Sequence, residues 1–144
     1  MEGTKYPEYK MALTFDRAPC DFDDPKYWVR GIADLVVLDG DTAFIVDYKT
    51  GSDKYVDTNQ LKLMALMAFS HFPEIRKVKA ALLFVMHEHF IPVEYTRAQI
   101  PAMWEAFLPT VARIAHSHLN DKWTANPTGL CGWCPVISCE FNKT

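Results

Sequence analysis

The period of the apolar positions changes several times along the chain, and each change marks an element. Tyr9 to Phe15 (YKMALTF) alternates apolar and polar residues as a strand does, and the Pro- and Asp-rich PCDFDDPKY that follows reads as a loop. WVRGIADLVVL and TAFIVDYK then flank Asp39-Gly40, a dipeptide that signals a tight hairpin. Beyond the loop SDKYV, Asp57 is a good N-cap and Gln60 stands three residues on, as in a capping box. QLKLMALMAFSHF is apolar nearly all round, which predicts a helix buried on most sides and ending before Pro73. VKAALLFVM reads as a strand covered on both faces, and FIPVEY as an edge strand because it contains Pro92. Thr96 with Gln99 opens one last helix, whose stripe Ile100, Met103, Trp104, Phe107, Leu108, Val111, Ile114 and Ala115 is assigned to the core, with His118 continuing it. An irregular tail, NPTGLCGWCPVISCEFNKT, ends the chain.

The order strand, strand, strand, helix, strand, strand, helix predicts an α/β domain. With 144 residues and 49% hydrophobic content there is material for one good core, so a single domain over residues 1–125 is expected, with the tail 126–144 packed on it. The N-terminus lacks the apolar segment of a signal peptide and no run reaches membrane-spanning length, so a cytoplasmic protein with no membrane association is expected. A net charge of −3 gives no general affinity for nucleic acid, although a carboxylate metal site is locally acidic whatever its substrate.

Candidate chemistry gathers at the hairpin. Asp47 and Lys49 are two apart on a strand and therefore share a face. With Asp39 and Gly40 as the loop residues, Leu38 pairs with Asp41 and Asp34 lies opposite Ile45, which makes Asp34 and Asp47 diagonal neighbours on one face. A four-residue loop would set the two acids directly opposite each other. Two carboxylates about 5 Å apart repel by about 3 kcal/mol at an effective dielectric of about 20. A divalent cation removes that penalty, and Mg²⁺ takes one or two carboxylates while leaving positions for water and phosphate oxygens. Lys49 on the same face would steady a metal-activated water and the developing phosphorane charge. Phosphodiester hydrolysis fits this set of groups. A solvated surface pair is the ordinary alternative for Asp-x-Lys, but Asp34 and Asp47 both lie in apolar runs, where acids are seldom placed without a partner.

The segment GIADLVVLDGDTAFIVDYKTG followed by QLKLMAL resembles the core of the PD-(D/E)XK nuclease superfamily, in its RecB-like exonuclease branch. The resemblance spans Trp28 to Met67 and implies a restriction-endonuclease-like core, a central mixed sheet flanked by helices. It implies Asp34 and Asp47 as ligands of Mg²⁺ or Mn²⁺, the backbone carbonyl of Tyr48 as a further ligand, Lys49 as the catalytic lysine and Gln60 as a helix residue facing the site. Gln60 also has the simpler role of capping its own helix. The family's Tyr four residues after Gln is Met64 here, and its N-terminal helix is missing or truncated: the chain is a minimal version, Glu8 or another acid substitutes, or the helix comes from elsewhere. The implied function is a metal-dependent DNA exonuclease of viral or mobile-element recombination or repair, with DNA and a recombination or CRISPR-type protein as partners. The alternative is a catalytically impaired nuclease-fold module for DNA binding or assembly.

Three of the four cysteines, Cys131, Cys134 and Cys139, crowd into the tail, which in a cytosolic chain favours a metal over disulfides. The tail resembles the cysteine triplet of RecB-like exonucleases that hold a [4Fe-4S] cluster, whose fourth cysteine comes from the N-terminal region; Cys20 is a candidate for that place here. Zinc, with His116 or His118 as a ligand, and metal-free reduced thiols are the alternatives.

Overall fold

A computed structural model of the protein describes residues 2–54 and 56–142. The chain divides into two compact units, Met1–Ala106 and Phe107–Thr144, and each is described by itself.

The first unit is built on β1 (Thr4–Thr14), β2 (Pro19–Cys20), β3 (Tyr27–Asp39), β4 (Thr42–Lys49), β5 (Lys77–Phe84) and β6 (His89–Thr96). They form one mixed sheet in the order β2-β1-β3-β4-β5-β6, with β4 and β5 parallel and every other pair antiparallel. A parallel pair needs a crossover, and α1 (Asn59–His71) supplies it. β6 is an edge strand, as Pro92 requires, because proline has no N–H to give a second neighbour. β1 starts five residues before the predicted Tyr9, and Cys20 lies in a short edge strand rather than a loop. β5 stops at Phe84, leaving Val85 and Met86 exposed in a turn; its Lys79 is exposed as well, so the expected cover on both faces is incomplete.

The β3–β4 hairpin differs from the expected one by two residues. Asp39 pairs with Thr42, so Gly40 and Asp41 form the loop, and the positive φ falls on Gly40 (57°), the first loop position. This is the glycine placement of a II′ turn, whereas the Asp-Gly signal points to a I′ turn one residue earlier. A two-residue shift preserves every side chain's face.

α1 lies against the sheet through Leu61, Met64, Ala65, Leu66, Met67, Ala68 and Phe69, all buried. The Met67 side chain reaches over Gly31 of β3, where a Cβ would stand 2.9 Å from its methyl. Arg97 satisfies the carbonyls orphaned at the helix's C-terminal end. Its guanidinium donates to Phe69 O and Phe72 O at 3.0 Å each and to Ile75 O at 2.7 Å, and it lies over the Phe69 ring.

Tyr6 and Tyr9 both approach Phe72, with ring centroids 6.1 and 5.3 Å away. Residues three apart on a regular strand face opposite ways, so the pleat is broken between them. The break is at Glu8, whose φ is 48°, and the β1–β3 ladder passes from Pro7–Leu35 to Tyr9–Ala33 without a Glu8–Asp34 pair.

The single last helix expected from the sequence is three pieces. The capping box of Thr96 and Gln99 forms and opens a 3₁₀ turn, Arg97–Gln99, which runs into α2 (Ile100–Glu105). The helix breaks at Ala106–Phe107, and α3 (Leu108–Asn120) restarts with Pro109 in its first turn. Proline cannot donate to the carbonyl one turn back and its ring clashes there, which the apolar periodicity does not register. Met103 and Trp104 of α2 are buried, but α3 contributes no buried residue, so its part of the stripe is not core. In the second unit a 3₁₀ turn, Gly129–Trp133, follows α3.

Removing the Arg97 guanidinium (Arg97→Ala) should lower stability by about 2–4 kcal/mol, because three buried-end carbonyls lose a charged donor, and Arg97→Lys should recover only part of it. The denaturant midpoint at unchanged slope measures this. Alkali gives a second test. Burial holds Tyr9 above its ordinary value of 10.0, with Tyr6 adding to the effect, and burial does the same for Tyr95. The unfolded chain therefore ionises first, so this contribution is whole below pH 10 and is lost as pH rises through the folded values. Melting temperature should fall above pH 10, and less steeply in Tyr9→Phe and Tyr95→Phe.

Candidate active site

The site forms where β4 ends and α1 begins. Asp47 lies on the face of β4 that carries Ala43 and Ile45, and all three are buried. A charged group at such a position needs partners, and two side chains supply them. Gln60, in the first turn of α1, donates its Nε2–H to Asp47 Oδ1 at 2.6 Å. Lys49, two residues along the same face, brings Nζ to 2.6 Å from Asp47 Oδ2 and donates to Gln60 Oε1 at 2.9 Å. Asp34 accepts from the backbone N–H of Tyr48 at 2.8 Å.

Asp34 reaches that N–H because of the two irregularities nearby. The β3–β4 ladder ends with Leu35 opposite Val46, so the same register carried one step further sets Asp34 opposite Asp47. Asp34 also faces the gap in the β1–β3 ladder at Glu8. The acids are thus opposed in register, as the four-residue loop would give, rather than diagonal.

The capping role for Gln60 does not materialise. Thr58 is the N-cap residue and makes no side-chain cap, while Asp57 accepts from Asn59 N at 2.8 Å. Gln60 spends its amide on Asp47 and Lys49 instead, and a glutamine at that position has the reach for either use.

Asp47 Oδ2 is shut off from solvent and accepts no well-directed hydrogen bond, so its contact with Lys49 is an ion pair by proximity. A buried acidic oxygen with no directed donor, a second acid opposite it and a lysine at the rim match what a hard divalent cation takes: one or two carboxylates, with other positions left to water and substrate. Asp34 and Asp47 would hold such an ion. Among the described residues no three His, Cys, Asp or Glu side chains are grouped to hold a metal, so Glu8 does not make a third acid with them.

The same holds for the tail thiols, and the expected cluster is not assembled among the described residues. All four cysteines are free. Cys131 serves its own backbone: Sγ accepts from Thr128 N at 3.3 Å, in a capping box where Thr128 Oγ1 accepts from Leu130 N. Asn142 closes the tail by donating to the carbonyls of Cys134 and Val136 at 3.0 Å each. His116 and His118 lie on α3; His116 takes a 2.8 Å bond from Asn120 at its carbonyl, and His118 stacks edge-on against Trp123.

A pair that the sequence does not reveal stands beside the site. Asp53, in the segment after β4, lies 2.7 Å from Nδ1 of His89, the first residue of β6. The His89 hydrogen bond holds the Asp53 carboxyl below its ordinary value, with His87 contributing. The partners are 36 residues apart, one in the turn after β4 and the other at the start of β6, and no periodicity or spacing signals such a contact.

Comparison with known proteins places this geometry in a family. The model of the PD-(D/E)XK nuclease superfamily matches residues 3–139, and no curated protein matches significantly. Solved structures include one described as "Crystal structure of SSO0001", similar at 16% identity with a TM-score of 0.47; the match covers 97% of this chain and 62% of that one. No helix among the described residues is long and apolar enough to cross a membrane. With its matched span running from β1 into the cysteine tail, this chain belongs to the PD-(D/E)XK nuclease superfamily.

Proposed function

We propose that the chain is a Mg²⁺- or Mn²⁺-dependent deoxyribonuclease that degrades DNA as an exonuclease in the cytoplasm of a bacterial or virus-infected cell, in viral or mobile-element recombination or repair. The observation that carries the reading is the Gln60 amide, which binds the Asp47 carboxylate through its nitrogen and the Lys49 ammonium through its oxygen. A surface salt bridge has no use for a third group that fixes both partners at once. A reaction centre does, because misplacing a catalytic group by about 1 Å can cost about a hundredfold in rate.

Each residue then has a role. Asp34 and Asp47 are the acidic ligands, and the Tyr48 backbone carbonyl is a third, on the family pattern. A divalent ion bound there would supply Lewis acidity toward a phosphate oxygen and a water of lowered pKa. Lys49 is positioned to hold the attacking water and to offset charge on the pentavalent phosphorus. Gln60 keeps Lys49 and Asp47 from drifting, and Asp34, bonded to Tyr48 N, fixes the backbone between them.

Labelled single- and double-stranded DNA incubated with the purified chain and Mn²⁺ should be shortened, and a chelator should stop the reaction. Asp47→Asn keeps the shape and removes the charge; it should lower the rate at least a hundredfold with melting temperature within a few degrees of the parent. Absence of any metal-dependent cleavage by the parent chain would favour the DNA-binding or assembly module, and full activity in Asp47→Asn would remove Asp47 from the site.

Gln60→Ala separates positioning from capping. It should reduce kcat about tenfold or more, about 1.4 kcal/mol of transition-state stabilisation, with little change in helix content by circular dichroism. A capping residue would give the opposite pattern.

A further inference from the structure

The stretch between β4 and α1 forms one wall of a cavity of about 270 Å³ next to the site. Lys49 and Gln60 line its inner side, Leu82 and Phe84 of β5 its floor, and Ser52 and Val56 its outer wall. The described residues of this stretch lie in neither helix nor strand. Among their bonds, Lys54 N donates to Ser52 Oγ at 3.2 Å, and Asn59 N to Asp57 Oδ1. Asp53 ties it across to the start of β6 through His89. His89 is itself well placed to act as a fixed post. It pairs with Phe84 in the β5–β6 ladder, its ring lies 6.3 Å from the Phe84 ring, and the turn before it is held by His87 N donating to Phe84 O. The β5 end is in turn pinned to the site, since Val85 N donates to Lys49 O at 3.0 Å.

We propose that His89 is a positioning residue of the nuclease reaction: through Asp53 it latches the wall that Ser52 contributes to the cavity beside Lys49, which receives the nucleoside adjoining the phosphate under attack. The proposal rests on the nuclease reading above. The cavity suits that ligand class, with an apolar floor for a base or sugar face and the amine and amide on the side where a phosphate would enter. The pair is partly exposed, His89 at 51% and Asp53 at 34% of their side-chain surfaces, so its effect is of the modest size that exposed pairs give. The latch acts on substrate hold rather than on the acids, because it touches neither Asp47 nor Lys49.

The test compares the parent with His89→Ala, Asp53→Ala, the double variant and His89→Asn, whose side-chain N–H replaces the Nδ1–H of histidine. Each is measured for DNA cleavage, for Mn²⁺ binding by titration and for trypsin cleavage after Lys54, which lies in the wall. Expected are a threefold to fivefold rise in KM in either single variant with kcat nearly unchanged, no further rise in the double variant, unchanged Mn²⁺ binding, faster cleavage at Lys54, and recovery of the parent KM and trypsin rate in His89→Asn. Unchanged KM, additive effects in the double variant, or failure of His89→Asn to rescue would overturn the proposal. A parent chain that cuts no DNA overturns the nuclease reading and the catalytic half of this one together. The trypsin comparison still judges the latch by itself: equal rates at Lys54 in parent and His89→Ala mean that no latch exists.

Discussion

Asp47 is the one ionisable side chain fully buried among the described residues, and most of the architecture around it follows from the need to keep it there. An unpaired carboxylate in an apolar sheet face costs several kcal/mol. The chain meets that cost with groups from two different elements, Lys49 from the same strand and Gln60 from the helix beyond it. Neither donor is placed by local structure alone. Lys49 shares the face because strands repeat every two residues, but Gln60 arrives only if α1 returns across the sheet at the correct height. The ion-pair network and the crossover are therefore one constraint, and the helix cannot slide by a turn without exposing the acid to an unpartnered state.

What sets the height of α1 is apolar. Gly31 lets Met67 close onto β3, the buried run from Met64 to Phe69 fills the space between helix and sheet, and Arg97 holds the far end through three carbonyls. Burying each large side chain of that run contributes about 1.5–3 kcal/mol, which exceeds what any exposed ion pair supplies. The core thus positions the polar site, and the polar site selects the register of the core. The segment between β4 and α1 is the part that neither governs. Among its described residues are short-range bonds and a tie to β6 through Asp53 and His89.

The fold class, and the placement of Asp34, Asp47 and Lys49 on one face of the sheet, were legible in the sequence because they rest on periodicity. Alternation in TAFIVDYK gives the face of Asp47 and Lys49 whatever the loop, and an error of two residues in the hairpin leaves Asp34 on the correct side. What was not legible depends on contacts between distant residues. Gln60 has the same sequence signature as a capping residue, and only the approach of α1 to β4 decides that its amide goes to Asp47. The break before α3 follows from Pro109, which the apolar stripe does not register, since a proline inside a continuous helix is unfavourable by about 3 kcal/mol. The cysteine spacing was informative about crowding and silent about use: Cys131 takes a backbone N–H as a capping acceptor, a role normally given to a carboxylate or an amide.

On the proposed reading, Lys49 is both structural counter-ion and reaction group. It has two acceptors of different kinds, the buried Oδ2 of Asp47 and the amide oxygen of Gln60. The first contact lacks hydrogen-bond direction, whereas the second is a directed bond. When another cation takes up the charge of Asp47, Lys49 can leave that oxygen at little cost and remain anchored through Gln60, with part of its ammonium already facing solvent. A lysine held by the carboxylate alone would swing free at that moment and lose its aim. On the reading proposed here, the value of Gln60 is that it makes the position of Lys49 independent of what neutralises Asp47. The same bond to Asp47 Oδ1 keeps the carboxylate from rotating as its partner changes.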